Sequence, residues 1–304
     1  MDERLATSLL GDLCEHLGRE ADPHRTEMRR WAHGGLERIT FSDGNTLIHK
    51  YGQRPFTKEA DMLRSLYAGG VPVPRVAASR VQGRQMSMLM EDLGEPLRPA
   101  TEDEALAAVL SLHAAPIDPA VPRLTESSLR TLPERTLHHL DRLHVMNRWH
   151  GSVSIGMDLG RVRRVAEHRA QGADLPPYGW VHTELGYDGL HVGPRGLRLL
   201  DFARSYTGPG LFDLVSWGDG INSLSPRRTR EFLERYVDAG GPPQTLKRRA
   251  GLPAERWALG WLRLWRLEWI LEDACRDSYD QADDAHSEAL ARAELDQALD
   301  LFEL

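Results

Sequence analysis

The sequence predicts an α+β chain in two parts: a strand-rich part over residues 1–93 with a leading helix, and a larger, mainly helical part over residues 94–304. Three patterns carry this reading. Short extended stretches bounded by turn residues crowd the first part, apolar residues recur at helical spacing over most of the second, and a cluster of short strands around residues 180–202 interrupts those helices. At 304 residues the chain is longer than one small core accommodates and suits two lobes of one unit.

In the first part, Leu5, Leu9, Leu10, Leu13 and Leu17 lie near helical spacing, so Asp2 to about Leu17 reads as a helix. After a polar break, Leu36 to Phe41 alternates as a strand does. Ser42-Asp43-Gly44-Asn45 is turn chemistry, and Thr46 to Tyr51 reads as the returning strand. Pro55 precedes a helix through Met62, Leu63 and Leu66 that stops at Gly69-Gly70. Val71 to Val76 and Met86 to Met90 read as two further strands.

In the second part, Thr101 and Glu104 have the spacing of a capping box ahead of Leu106, Val109 and Leu112. Helices are predicted around Leu129 to Trp149 and Ile155 to His168, followed by a loop over Gly172 to Gly179 that holds two prolines. Strands follow at Trp180 to His182, Leu190 to Val192 and Leu197 to Phe202. The remaining helices are Leu211 to Trp217, Pro226 to Ala239, Pro253 to Arg276 and about His286 to Phe302. There is no internal repeat and no low-complexity tail.

Composition excludes several classes. Charged residues at 27% and hydrophobic residues at 41% describe a globular chain rather than a disordered one. No run approaches the roughly 20 apolar residues of a membrane span, so no membrane partner is expected. Met1-Asp2-Glu3-Arg4 opens with mixed charge, without the basic start and apolar stretch of a signal peptide. Cys14 and Cys275 lie far apart and form no metal or redox motif, so a reduced, cytoplasmic protein is expected. A net charge of -7 argues against nucleic acid as a partner.

Chemistry-bearing residues fall at three places. Lys50 lies on the second strand of the predicted hairpin, with Glu59 early in the next helix. The second place is Val181-His182-Thr183-Glu184-Leu185-Gly186-Tyr187-Asp188-Gly189-Leu190-His191-Val192, and the third is Leu199-Leu200-Asp201-Phe202-Ala203. In this order they resemble the aminoglycoside phosphotransferase family of small-molecule kinases. That family carries a His-Gly-Asp-Leu catalytic loop ending in asparagine, a short hairpin, and a strand ending in Asp-Phe-Gly or Asp-Phe-Ala. The chain reproduces the His, the Leu, a hairpin with turn Gly193-Pro194-Arg195-Gly196, and Asp-Phe-Ala. Gly208 to Leu214 looks like the family's following helix. Met88-Leu89-Met90-Glu91-Asp92-Leu93-Gly94 looks like its hinge, and Leu112-His113 like its Leu-His pair. The resemblance runs from about Gly34 to Asp219.

The resemblance implies a two-lobed protein-kinase-like fold, with the strand, strand, helix, strand, strand order as its small lobe. It implies ATP and Mg²⁺ as cofactors and transfer of the γ-phosphate to an alcohol. Lys50, oriented by Glu59, would hold the α and β phosphates, with Glu91 in the nucleotide-binding hinge. Asp201 would be the metal carboxylate, a hard oxygen ligand, and His182 a structural brace.

Two residues depart from the pattern. Glu184 stands where the family has its catalytic aspartate, keeping the acceptor chemistry with the carboxylate one methylene further out. Gly189 stands where the asparagine is expected and has no side chain to hold a metal. Asp188 is the preferred substitute ahead of His191, and is otherwise a turn residue before glycine. Gly34-Gly35-Leu36-Glu37-Arg38 has a glycine pair without a full phosphate-binding signature. An unusual active kinase and a pseudokinase that binds a peptide or enzyme partner both remain open.

On the acceptor side, Trp257, Trp261, Trp265 and Trp269 recur every four residues. Each step turns about 400°, so the stripe drifts by about 40°. It serves core packing, or turns an indole to the acceptor cleft. Glu268, Glu272, Asp273 and Asp277 form an acidic face, either solvated or attracting a cationic substrate. Two acceptors fit the resemblance: a small hydroxylated natural product, or a Ser or Thr of a precursor peptide, the latter with a partner lyase.

Overall fold

A computed structural model describes residues 3–31, 34–53, 55–217, 225–276 and 279–304. Asp2, Asp219 and Asp277, which the sequence reading included, lie outside the described residues. In chain order the elements are α1 (Glu3–His16), β1 (His24–Trp31), β2 (Gly34–Thr40), β3 (Thr46–Gly52), α2 (Glu59–Ala68), β4 (Val76–Gln82), β5 (Gln85–Glu91) and α3 (Glu102–Ala114). Then come α4 (Glu126–Arg130), α5 (Leu132–Val145), α6 (Val153–Arg169), β6 (Tyr178–Val181), β7 (Leu190–Gly193), β8 (Gly196–Leu199) and β9 (Tyr206–Pro209). The last elements are α7 (Leu211–Ser216), α8 (Pro226–Asp238), α9 (Ala254–Ala274) and α10 (Asp284–Phe302). The chain divides into two compact units, Met1–Pro122 with His182–Tyr206, and Arg123–Val181 with Thr207–Leu304.

The first unit is built on a five-stranded antiparallel sheet, ordered β1-β2-β3-β5-β4. The turn joining β2 to β3 forms where Ser42–Asn45 predicts it. Asp43 accepts the Asn45 amide at 2.9 Å, and Gly44 takes a φ of 81° that a side chain would disfavour. Leu10, Leu13 and Cys14 of α1 pack on Ile39, Phe41, Ala78 and Leu89. The Thr101–Glu104 capping box is formed at the start of α3. The β7–β8 hairpin is tied to two loops of the same unit: Leu199 N donates to Pro72 O at 2.7 Å, and Leu97 N to Val192 O at 2.8 Å.

Several predicted strands shift. Val71 to Arg75 is not a strand, and β4 begins only at Val76. Pro72 and Pro74 carry no amide hydrogen to give to a ladder. β1 was not anticipated, because this edge strand is mostly exposed and shows no apolar alternation. The helix predicted through Trp149 is two helices, α4 and α5, which meet at Thr131 ahead of Pro133; the second ends at Val145. β9 was likewise unpredicted; it pairs with β6.

The second unit centres on α9, which packs against α5, α7, α8 and α10. Trp257 and Trp261 are fully buried, and both indole N–H groups donate to the Arg169 carbonyl, at 2.7 and 3.1 Å. Trp265 packs edge-on to Phe212 and to Trp269. Core packing therefore accounts for Trp257 and Trp261, whereas Trp265 and Trp269 are only partly buried. Gly260 interrupts the bulky side chains because a Cβ there would lie 2.7 Å from the Phe302 ring of α10. The acidic face is largely neutralised: Glu268 is bound by Arg135 at 2.7 Å, and Arg276 pairs with both Glu272 and Asp273.

Glu294 of α10 is buried and receives Arg263 at 3.2 Å and Arg266 at 2.8 Å. Arg263 is itself only 2% exposed. Removing one partner of such a pair strands a desolvated charge, so Glu294→Ala is expected to destabilise the protein by about 3 kcal/mol. Urea denaturation of the two proteins measures this, and a loss below about 1 kcal/mol would show that water reaches Arg263.

Candidate active site

Strand alternation decides which face of the sheet carries each side chain of β3. Lys50, opposite Leu36 on one side and Met88 on the other, points away from the face that carries His49 and Tyr51. A 3-10 turn at Phe56–Lys58 then leads into α2, whose first residue is Glu59. Lys50 Nζ donates to Glu59 Oε1 at 2.7 Å and to Asp201 Oδ1 at 3.0 Å, and it lies 5.0 Å from the centre of the Phe56 ring. Glu59 Oε1 also accepts the Phe202 amide at 3.2 Å. One carboxylate thus fixes both the lysine and the backbone beside Asp201.

Lys50 is 6% exposed and Glu59 1%. Burial works against the lysine's charge, but Glu59 and Asp201 outweigh it and hold its pKa above the ordinary value. For Asp201, burial pushes upward and the Lys50 ammonium more than cancels it, leaving the carboxyl below the ordinary range. Burial, with Asp201 adding to it, raises the Glu59 carboxyl against the pull of Lys50.

The loop from His182 to Gly189 and the segment from Leu200 to Phe202 brace each other. His182 is buried, and its Nε2 donates to Leu200 O at 2.5 Å. Its ring meets Phe202 edge-on at 4.8 Å. Leu200 N donates to Gly189 O at 2.9 Å. Asp201 and Thr183 take left-handed backbone conformations, with φ of 62° and 78°. Aspartate tolerates this region, whereas a β-branched threonine there is strained.

Glu184 has a half-exposed carboxylate 4.0 Å from Arg204 Nε. Asp188 is exposed on a 3-10 turn, Tyr187–Gly189, and makes no hydrogen bond or ion pair with another described residue. A Cβ on Gly189 would lie 3.3 Å from the Glu184 carbonyl and 3.4 Å from His182 Cε1. His191 is buried, with its Nε2 unpartnered among the described residues. The Glu91 carboxylate is engaged by Arg195 at 2.6 Å and by the Arg75 amide at 3.2 Å. Lys50, Glu59 and Asp201 therefore come together, braced through His182. Glu184, Asp188 and Glu91 do not reach them by hydrogen bonds. Sequence reasoning missed Arg195 as the residue that holds the end of β5, and Arg204 beside Glu184. A basic residue close behind the Asp-Phe-Ala stretch was the available signal for Arg204.

On the other sheet face, His49 Nδ1 lies 3.1 Å from Glu37 Oε2, and its Nε2 lies 2.7 Å from Ser87 Oγ. Arg25 grips Glu37 with two bonds, at 2.9 and 3.1 Å. Burial alone would raise the Glu37 carboxyl, yet His49 and Arg25 bring it down to about 2. This network backs the strand that carries Lys50.

A lysine and a glutamate on strand and helix, joined to an Asp-Phe-Ala segment under an antiparallel sheet, define a phosphotransferase of the kinase-like class. The chain belongs to the phosphotransferase enzyme family, whose sequence model matches residues 48–254, a span that takes in Lys50, Glu59, Glu184 and Asp201. That family uses ATP with a divalent metal. No curated protein sequence matches the chain. Among solved structures it is similar to a candidate aminoglycoside phosphotransferase from Ralstonia eutropha (TM-score 0.62, 13% identity, 98% of each chain covered). It is also similar to a type I macrolide 2'-phosphotransferase (TM-score 0.61, 15% identity, 93% of this chain and 95% of that one). A third likeness is to an amicoumacin kinase in complex with AMP-PNP and Ca²⁺ (TM-score 0.56, 14% identity, 90% and 88% covered). At these identities the likeness establishes the fold.

The depressed Glu37 carboxyl gives a pH signature. Its contribution to stability is present in full above the ordinary glutamate range and is lost as pH falls towards about 2. Wild type is therefore expected to exceed Glu37→Gln by about 2 kcal/mol at neutral pH, with the gap closing as the medium is acidified. Urea denaturation of both proteins across pH measures it; a gap independent of pH would remove the charge from the account.

Proposed function

We propose that the chain transfers the γ-phosphate of ATP to a hydroxyl of a small molecule, an aminoglycoside-like compound or another natural product, in the cytoplasm. The observation that carries this reading is the buried Lys50 ammonium held at 2.7 Å by Glu59 and 3.0 Å by Asp201. A lysine kept charged and fixed in direction is a phosphate ligand, and it would meet the α and β phosphates.

The donor set suits Mg²⁺. Asp201 Oδ2 makes no hydrogen bond with another described residue and is a hard oxygen donor. Among the described residues no group of three or more His, Cys, Asp or Glu side chains could by itself hold a metal. Mg²⁺ is typically bound by one or two carboxylates and otherwise by phosphate oxygens. Asp201 would supply the first carboxylate and the exposed Asp188 the second. When bound, the ion supplies positive charge against the phosphate oxygens.

Glu184 is the proton acceptor in this reading. The acceptor hydroxyl oxygen bonds to the γ-phosphorus as the bond to the ADP oxygen breaks, and the hydroxyl proton passes to the Glu184 carboxylate. Its half-exposed position leaves the carboxylate open to an incoming alcohol. Arg204 Nε lies 4.0 Å from it.

Phosphate transfer from ATP to a panel of hydroxylated natural products, read together with nucleotide binding, tests this. Asp201→Ala and Lys50→Ala should abolish productive ATP use in well-folded protein. Glu184→Gln should lower transfer by about 100-fold or more while sparing ATP binding. Undiminished transfer by Asp201→Ala would defeat the site, and undiminished transfer by Glu184→Gln would remove Glu184 from the mechanism.

A further inference from the structure

Strand β1 carries an irregularity that aims a charge. His24 to Glu27 pair one for one with Thr40 to Glu37; Met28 is then passed over, and Arg29 pairs with Leu36, Arg30 with Gly35 and Trp31 with Gly34. Directly paired residues of antiparallel neighbours share a sheet face. Leu36 pairs in turn with Lys50, and Lys50 with Met88. The bulge therefore places Arg29 in the cross-strand row of Lys50, on the face of Glu59 and Asp201. Without the extra residue Met28 would oppose Leu36, and Arg29 would oppose Gly35 on the face of Glu37 and Tyr51. Re-aiming a side chain beside a site is a known use of an edge-strand bulge.

Arg29 is also uncommitted. It is exposed and makes no hydrogen bond or ion pair with another described residue, while Arg25 is bound to Glu37 and Arg30 to Glu27. Two strand spacings, about 10 Å, separate its backbone from that of Lys50. Its charge still reaches the site, being one of the influences that hold Asp201 down.

We propose that Arg29 is a phosphate-binding residue that grips the terminal phosphates of the nucleotide from the edge strand, across the sheet face from Lys50. The inference rests on the nucleotide site proposed above. A guanidinium offers a planar fork of donors that matches phosphate oxygens better than a lysine does. It also supplies what the neighbouring glycines do not. A Cβ on Gly34 would lie 2.4 Å from the Tyr51 carbonyl, and one on Gly35 2.5 Å from the Tyr51 hydroxyl. Close packing on Tyr51 accounts for this glycine pair. The donors that a full glycine-rich loop would offer from its backbone come here from a side chain.

The test is titration of ATP, ADP, AMP and adenosine, each with Mg²⁺, into wild type, Arg29→Ala, Arg29→Lys and Lys50→Ala at low and high salt. Arg29→Ala should weaken ATP about tenfold, leave AMP and adenosine unchanged, and lose part of the salt dependence; Arg29→Lys should fall between. Arg29 lies exposed on an edge strand, so its variants should keep the wild-type melting temperature. Equal losses for ATP and adenosine would make the residue merely structural and overturn the proposal. Unchanged ATP affinity in Arg29→Ala alongside a loss in Lys50→Ala would overturn it and leave the nucleotide site standing. A wild type that binds no nucleotide would overturn both.

Discussion

A single ammonium group held between two carboxylates organises the first unit. Lys50 comes from a strand, Glu59 from the first turn of a helix, and Asp201 from a segment far along the chain. Because Glu59 Oε1 also takes the Phe202 amide, the three segments meet on one carboxylate. The consequences spread through hydrogen bonds: Leu200 is held by His182, and Gly189 by Leu200. A buried ion pair of this kind is weak evidence for stability, since desolvation offsets most of the attraction. Its value lies in geometry. A long flexible lysine has one direction left to it, and the aspartate keeps one oxygen turned away from the pair.

How much of this was legible in the sequence follows from what each residue buries. The β2–β3 hairpin and α2 could be read because one face of each is apolar and their turns use glycine and aspartate for defined reasons. Lys50, Glu59, His182 and Asp201 were singled out by the resemblance of their ordered motifs to the phosphotransferase family. β1 was hidden because an edge strand with basic residues on both faces gives no period-two signal. Its bulge, which sets where Arg29 points, is visible only in the register. Val71 to Arg75 misled in the opposite way, being apolar enough for a strand but interrupted by prolines. Glu91 lay in a stretch whose resemblance suggested a nucleotide contact; its side chain is bound by Arg195 and the Arg75 amide. Such pairings depend on the hairpin turn a hundred residues later, which no local pattern reports.

The acceptor side shows the same limit from the other direction. A row of tryptophans and a row of carboxylates on one helix suggest recognition. Burial assigns Trp257 and Trp261 to the core, and ion pairing occupies the described carboxylates. Glu268 faces Arg135, while Glu272 and Asp273 share Arg276. A cationic acceptor would gain little from a face whose charges are already balanced, since exposed pairs in water leave only a weak residual field. Preference for such an acceptor, if the enzyme has one, must therefore be built from groups other than these.

The two departures in the catalytic loop belong together. An asparagine at position 189 would begin with a Cβ 3.3 Å from the Glu184 carbonyl, slightly tighter than ordinary contact, and 3.4 Å from His182 Cε1, an ordinary contact. To admit it, the backbone at Glu184 would have to shift slightly. With glycine there, the loop packs close to the backbone of Glu184, the proton acceptor of the proposed mechanism. An aspartate on a loop packed this closely would hold its carboxylate further back. Glutamate restores the reach by one methylene. In the proposed mechanism the longer acid and the missing side chain go together in this way, and Asp188, exposed at the turn, would be the remaining oxygen donor. The cost is precision: an extra rotatable bond loosens a group whose placement to within about 1 Å governs rate. The Arg204 guanidinium, 4.0 Å from the carboxylate, is close enough to limit that freedom.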